Sequence, residues 1–371
     1  MKARLENHYL NIAPVLANPD KGFSARVEWE CPSNIALVKY WGKRQGQFPL
    51  NPSVSFVLHR SRTLLSMEFK VNPDLKMPQL DYYFEGKQAS LFRNRYMHYL
   101  QHISRYMPFI NQLELTIRTR NTFPHSAGIA SSASSFGALA LALCDTERLL
   151  FETLTDEKSF FEKASFLSRL GSGSASRSVL GGFSMWGEAL FPDDSSDEAA
   201  VSLAGIVHPV FYTYRDSILV VYAGVKEIPS SEGHALMDHH PFATARINQA
   251  KENAQKLLHV LATGDEPAFV EIVEKEALSL HAMMLTSSPS FILLKPYTIE
   301  VIDRIRKFRK DTGLTVCFTL DAGANVHFLY PDRLTEIVHP FIAAELKALC
   351  ENGMIIHDHV GTGPVRNAMT L

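Results

Sequence analysis

The stretch Pro124–Leu143, PHSAGIASSASSFGALALAL, constrains the fold more than any other part of the chain. Its second half is dominated by alanine, glycine and leucine and predicts an apolar helix over 134–150, with side chains small enough for close packing. Its first half sets Gly128 and then four serines directly before that helix. Glycine reaches backbone angles that other residues avoid. Free N–H groups, hydroxyls and the positive end of a helix can therefore converge on one point, which suits a phosphate. A serine-capped helix with a tight entry turn would read the same way. No G-x-x-x-x-G-K-[ST] string occurs, so this is not a Walker A loop.

Three further stretches carry chemistry. In NIALVKYWGKR (34–44) a buried-strand run, Ile35–Val38, breaks into Lys39, Tyr40, Trp41, Gly42, Lys43 and Arg44. Three cations then stand in six residues around an aromatic pair. GSGSASRSVLGG (171–182) sets one guanidinium, Arg177, in a hydroxyl-rich segment, suited to bidentate contact with carboxylate or phosphate. Amphipathic segments on both sides argue against a plain linker. FTLDAGANVHF (318–328) ends an apolar strand on Asp321, which is either a turn-former or a base held at a site. HALMDHH would put His234 and Asp238 on one helical face, and HDH (357–359) is a shorter cluster. Neither matches H-E-x-x-H, and no metal site is assigned.

The bulk numbers exclude several classes. With 37 basic and 39 acidic side chains, the chain has neither a nucleic-acid footprint nor a basic membrane-binding surface. Four scattered cysteines form no C-x-x-C pair and read as reduced, buried thiols. The start lacks a signal-peptide pattern, and no apolar run approaches the ~20 residues that span a bilayer. The expectation is a soluble, cytoplasmic protein. Its 371 residues suit two domains.

Along the chain, residues 1–24 predict an arm or extra strand, and 25–70 an antiparallel region. A hairpin turns at Gly86, with helices near 92–107 and 157–169. The run SILVVYAGV (217–225) predicts the strand that opens the second half. Helices follow at about 241–263, 266–282 and 298–311, then a strand–turn–strand, a helix at 334–351 and a strand at 353–358. The second half reads as helices on a mostly antiparallel sheet.

Together NIALVKYWGKR, FPHSAGIASSASSFGALAL, GSGSASRSVLGGF and FTLDAGANVHF resemble, in order, the four signature regions of the mevalonate diphosphate decarboxylases, which belong to the GHMP kinases. The likeness runs over about residues 30–364 and takes in SLHAMML (279–285) and GTGP (361–364). It implies an α+β, two-domain GHMP-kinase fold. The N-terminal α/β domain (25–214, nucleotide loop 124–135) would be ribosomal-S5-like and the C-terminal α+β domain (215–371) ferredoxin-like, with the cleft between them. Residues 1–24 would form an extension.

The implied reaction phosphorylates the C3 hydroxyl of mevalonate 5-diphosphate with ATP and Mg2+, then releases phosphate and CO2 to give isopentenyl diphosphate. The resemblance assigns Asp321 and Lys39 to catalysis. It gives Tyr40, Lys43, Ser172, Ser174 and Arg177 to the substrate, and Gly128, Ser131, Ser132 and Ser134 to ATP. A homodimer is implied as well. Relatives often show Ser-Ser-x-x-Gly-Met where this chain has SSEGHALMDHH, and Glu232 adds an anion there. Three other readings follow: a 3-kinase that stops at the phosphorylated intermediate, a phosphomevalonate decarboxylase, and a silent ligand-binding homologue.

Overall fold

The computed structural model describes residues 5–16, 21–124, 129–224 and 230–367. The chain opens with a helix, α1 (Leu5–Asn11), where the sequence suggested an arm or a strand. Side-chain anchoring accounts for the difference. Tyr9 is buried with its ring 5.0 Å from Phe166, and the Tyr106 hydroxyl donates to Glu6 at 2.8 Å.

Strand β1 (Ser24–Ala36) alternates more and less exposed positions up to Glu30, then is buried from Cys31 on. Its first half thus has one wet face, while its second half lies between two packed layers. A small ribbon, β2 (Lys43–Arg44) and β3 (Phe48–Pro49), precedes the long β4 (Ser53–Val71). β5 (Gln79–Phe84) and β6 (Lys87–Gln88) form a hairpin turned by Glu85 and Gly86, both with positive φ, as two-residue hairpins require.

α2 (Ser90–Ile103), β7 (Leu113–Asn121), α3 (Ser131–Phe151), α4 (Glu157–Gly171) and the short α5 (Ala175–Ser178) follow. Then come β8 (Phe183–Trp186), β9 (Val201–Ser202) and α6 (Pro209–Tyr212). β1 and β4 pair antiparallel with a register break at Ser33; β4 also pairs β7 and β8, and β5 joins β7 in parallel. Helices α2, α3 and α4 cover one face of this sheet. Trp29, Met67 and Ile117 meet Tyr99, Leu139 and Phe166 in that core.

The second sheet starts at β10 (Tyr214–Leu219). α7 (Ser230–Ala235), α8 (Ala243–Thr263), α9 (Glu266–Leu285), α10 (Pro296–Thr312), β11 (Cys317–Leu320) and β12 (Val326–Pro331) follow. α11 (Thr335–Phe341), β13 (Ile355–His359) and β14 (Val365–Arg366) end the described chain. The strand order is β11-β12-β10-β13, all antiparallel. α8 and α9 cover one face and α10 and α11 the other. Gly264 ends α8 in the left-handed conformation, and the Asp265 carboxylate accepts the Ala268 N–H to cap α9.

Two further expectations change. β10 ends at Leu219 rather than near 225, because Val220 exchanges backbone bonds with the turn at 351–354 instead of a strand. The helix expected over 334–351 is α-helical only to Phe341 and continues as a π turn and a 3-10 turn. Pro340 lies inside it and offers no N–H to the preceding turn.

The two lobes share one apolar core: Leu37, Val54 and Phe56 of the first pack with Leu257, Leu261 and Val273 of the second. The chain end also returns to the first sheet, where β14 pairs β1.

Candidate active site

The end of β1 delivers Lys39 to the seam between the lobes, where its side chain is almost wholly buried. Its Nζ donates to the Ala36 carbonyl at 2.6 Å and lies 3.2 Å from Asp321 Oδ1. Burial pulls its pKa below the usual lysine value, while Asp321 and Glu276 pull it back up and Arg177 pushes it lower. Asp321 follows β11 directly, and its backbone carbonyl lies 3.0 Å from His281 Nε2 of α9. A lysine from one lobe and an aspartate from the other therefore form a salt bridge across the seam.

Arg177 of α5 is buried too, with NH1 donating to Ser53 Oγ at 2.5 Å and burial lowering its pKa to about 10. Its Nε and the Tyr40 hydroxyl are buried polar atoms that find no hydrogen-bond partner among the described residues. Such orphans are rare in native proteins, and here both side chains line the same cavity. An anionic ligand would satisfy them.

That cavity, of about 190 Å³, is lined by Asn34, Lys39, Tyr40, Lys43, Ser132, Ser172, Ser174, Arg177, His234 and Asp321. A wider basin beside it, of about 790 Å³, is edged by Lys43, Arg44, Arg95, His98 and Ser132. The pair offers room for two ligands. Close approach explains Gly173: a Cβ there would meet the Tyr40 hydroxyl at 2.7 Å and Trp186 at 2.8 Å. At Gly42, φ is +85°, and a Cβ would stand 2.6 Å from Leu50.

The helix α3 starts at Ser131, and Ser132 Oγ lies 3.3 Å from Ser172 Oγ. Hydroxyls at the positive end of a 21-residue helix thus face hydroxyls of the 171–178 segment. Buried cations, unpartnered donors and a carboxylate around one cleft are what phosphoryl transfer between polyanions needs.

Comparison with known proteins agrees with this chemistry. The diphosphomevalonate decarboxylase-like N-terminal domain family matches residues 31–197, and the mevalonate 5-diphosphate decarboxylase C-terminal domain family matches 217–365. The chain belongs to the mevalonate diphosphate decarboxylase family. It is 31% identical to diphosphomevalonate decarboxylase mvd1 of Aspergillus fumigatus over 336 residues, which cover 86% of this chain and 80% of the relative. The Staphylococcus aureus mevalonate diphosphate decarboxylase structure superposes with a TM-score of 0.79 at 26% identity, covering 93% of this chain and 99% of that one. A structure described as MDDEF in complex with MVAPP, AMPPCP and magnesium gives 0.77 at 23%, with coverage of 93% and 99%, and speaks for the fold alone.

The decarboxylase fold brings Lys39, Tyr40, Lys43, Ser132, Ser172, Ser174, Arg177 and Asp321 into one cavity. Ser131 lies in an adjoining crevice with Thr63, Tyr82 and Tyr96. Ser134, expected at the nucleotide, is instead fully buried, its Oγ 2.6 Å from Thr63 Oγ1 and donating to the Ser131 carbonyl. It faces the sheet because it sits two residues after Ser132, about 200° further round the helix axis. Gly128 falls outside the described residues.

Sequence reasoning missed Asn34, Arg95, His234 and Glu276. Arg95 borders both basins and stacks 5.0 Å over Phe136. His234, weighed above only as a metal ligand, lies between Tyr40 and Trp41, and its Nδ1 accepts the Gly42 N–H at 2.9 Å. Among the described residues no group of three His, Cys, Asp or Glu is placed to hold a metal ion. Glu276 did carry a signal. It sits on the apolar stripe Phe269, Val273, Ala277, Leu280 of α9, where a carboxylate is out of place.

Proposed function

We propose that this chain converts mevalonate 5-diphosphate and ATP to isopentenyl diphosphate, ADP, phosphate and CO2. The observation that carries the reading is the Lys39–Asp321 pair at the lobe seam, set in a cavity with the unpartnered Tyr40 hydroxyl and Arg177 Nε. Family membership supports it. Arg177, held rigid by Ser53, would take the substrate carboxylate, and Tyr40, Lys43, Ser172 and Ser174 its polar and phosphate groups. Asp321 would orient or deprotonate the C3 hydroxyl. As the C3 phosphate leaves, positive charge grows on C3, and the same carboxylate stabilises it. Lys39 offsets the incoming phosphoryl charge in a dry site, where such contacts count for more than in water.

ATP enters as MgATP, its phosphates set against Ser131 and Ser132 at the start of α3 and near Arg95. The positive helix end and the serine hydroxyls there fit that role. We also propose a cytoplasmic homodimer; no described helix is long and apolar enough to cross a membrane. Sedimentation velocity would read the assembly as twice the 41.6 kDa chain.

The test compares mevalonate, its 5-phosphate and its 5-diphosphate with MgATP, following ADP, CO2 and phosphate together. The diphosphate should give the highest kcat/KM, with ADP and CO2 released in equal amounts. ADP without CO2 would make the protein a kinase, and no ADP a binding homologue. A preference for the monophosphate would show that exposed Glu232 on α7 has changed the phosphate specificity.

A further inference from the structure

One carboxylate that this mechanism leaves unused stands directly behind the reaction centre. Glu276 of α9, fully buried, accepts the backbone N–H of Lys39 at 2.9 Å. It also takes Arg246 of α8 through both guanidinium ends, at 2.9 and 2.6 Å, and Asn253 Nδ2 at 2.6 Å. Four N–H donors thus converge on one side chain. On the opposite flank, Asn51 Nδ2 donates to the Lys39 carbonyl at 3.0 Å. Lys39 is fixed at its N–H by the second lobe, at its carbonyl by the first, and at its ammonium by Ala36 and Asp321.

We propose that Glu276 is a positioning residue for the reaction: from the second lobe it fixes the Lys39 backbone and keeps the Lys39 ammonium charged beside Asp321. The inference rests on the function proposed above. If the position only had to fill space between α8, α9 and the 36–42 segment, an apolar side chain would do so without desolvating a charge. If it only had to satisfy the Lys39 N–H, a neutral amide oxygen would serve. A full carboxylate, completed by Arg246 and Asn253, adds one thing those alternatives lack, a buried negative charge next to Lys39.

The charges facing Lys39 come from several elements. Asp321 lies after β11, Glu276 on α9 and Arg177 on α5, with Tyr40 next in the chain. Arg246 on α8 stands behind Glu276, and His281 on α9 holds the Asp321 carbonyl. Two anions support the ammonium, whereas burial and Arg177 oppose it. Removing one anion must therefore lower the Lys39 pKa. A step that needs charged Lys39 would then fail at a lower pH, moving the alkaline limb of kcat/KM downward.

The test titrates the Lys39 side chain by NMR in the full chain labelled with [13C]lysine, its signal assigned by loss in Lys39→Met. In Glu276→Gln the titration should move down by about half a pH unit or more. The alkaline limb of kcat/KM should move with it, and kcat/KM should fall by about 10-fold or more. Glu276→Asp keeps the charge, so its titration should stay near wild type while kcat/KM still falls. Should Glu276→Gln fold poorly around an unpaired Arg246, Glu276→Gln with Arg246→Met removes that burden and should shift the titration in the same direction but by less, because the Arg246 cation leaves with the anion. An unmoved titration and limb, with only the melting temperature lowered, would overturn the proposal and leave Glu276 an ion pair between lobes. An inactive wild-type chain whose Lys39 titration still moved in Glu276→Gln would overturn the proposed function and support the hold on Lys39.

Discussion

At the scale of single residues, this site is built from charges and donors held in places where they are costly to keep. His234 illustrates the consequence for pH. Burial, with Lys43 nearby, pushes its pKa down to about 3, well below an ordinary histidine. An unfolded chain therefore binds a proton at His234 between pH ~6.5 and ~3 that the folded chain refuses. The associated stability is fully present above the unfolded value and is lost as pH falls. Denaturant unfolding at pH 7 and pH 4 should show a loss on the order of a few kcal/mol from this group. His234→Gln should narrow the difference between the two pH values; an unchanged difference would mean that His234 titrates freely in the folded protein.

At the scale of elements, the start of α3 matters most. Ser132 lines the cavity there, whereas Ser134 is spent on packing against β4. Ser132→Ala should weaken nucleotide binding by the ~1.5–3 kcal/mol of one bond to a charged group, with the melting temperature nearly unchanged. Calorimetric titration with MgATP checks this, and an unaltered affinity would reduce Ser132 to a helix cap.

The elements also show what a sequence can and cannot disclose. The long helices α3, α4, α8, α9 and α10, the Glu85–Gly86 hairpin and the four motifs were legible because periodicity, glycine and hydroxyl runs are local signals. The early end of β10 was not, since Val220 leaves the sheet for a partner some 130 residues away. Pro340 was visible, but long apolar patterning on either side masked the turn it imposes. Ser134 and Ser132 look alike in sequence; the helix rotation alone sends one to the core and the other to the cleft. Glu276 showed only as a carboxylate on an apolar stripe, and its role was not legible because its partners, Lys39 and Arg246, come from two other elements.

At the scale of the whole molecule, function depends on holding two lobes in register so that Lys39 meets Asp321. Besides the shared core and Glu276, one more device joins them. Asp358 on β13, nearly fully buried, accepts the backbone N–H groups of His59, Arg60 and Ser61 of β4 at 2.8–2.9 Å. Asp358→Ala would orphan three donors, so the chain should lose about 3 kcal/mol or more of unfolding free energy in urea. A loss within the range of a surface substitution would show that water replaces the carboxylate. Ligands should act in the opposite sense. Burial lowers the pKa values of both Lys39 and Arg177, and the Arg177 charge lowers that of Lys39 further. Bound anions relieve that burden, so MgATP should raise the melting temperature. The most direct measurement on the central claim is turnover of Asp321→Asn with MgATP and mevalonate 5-diphosphate. Asparagine keeps the shape and turn preference of the residue but removes its charge and basicity. Turnover should fall by at least ~10²-fold while substrate affinity and melting temperature stay near wild type. Near-normal turnover would contradict the account, for it would mean that the carboxylate across the seam from Lys39 only shapes a turn.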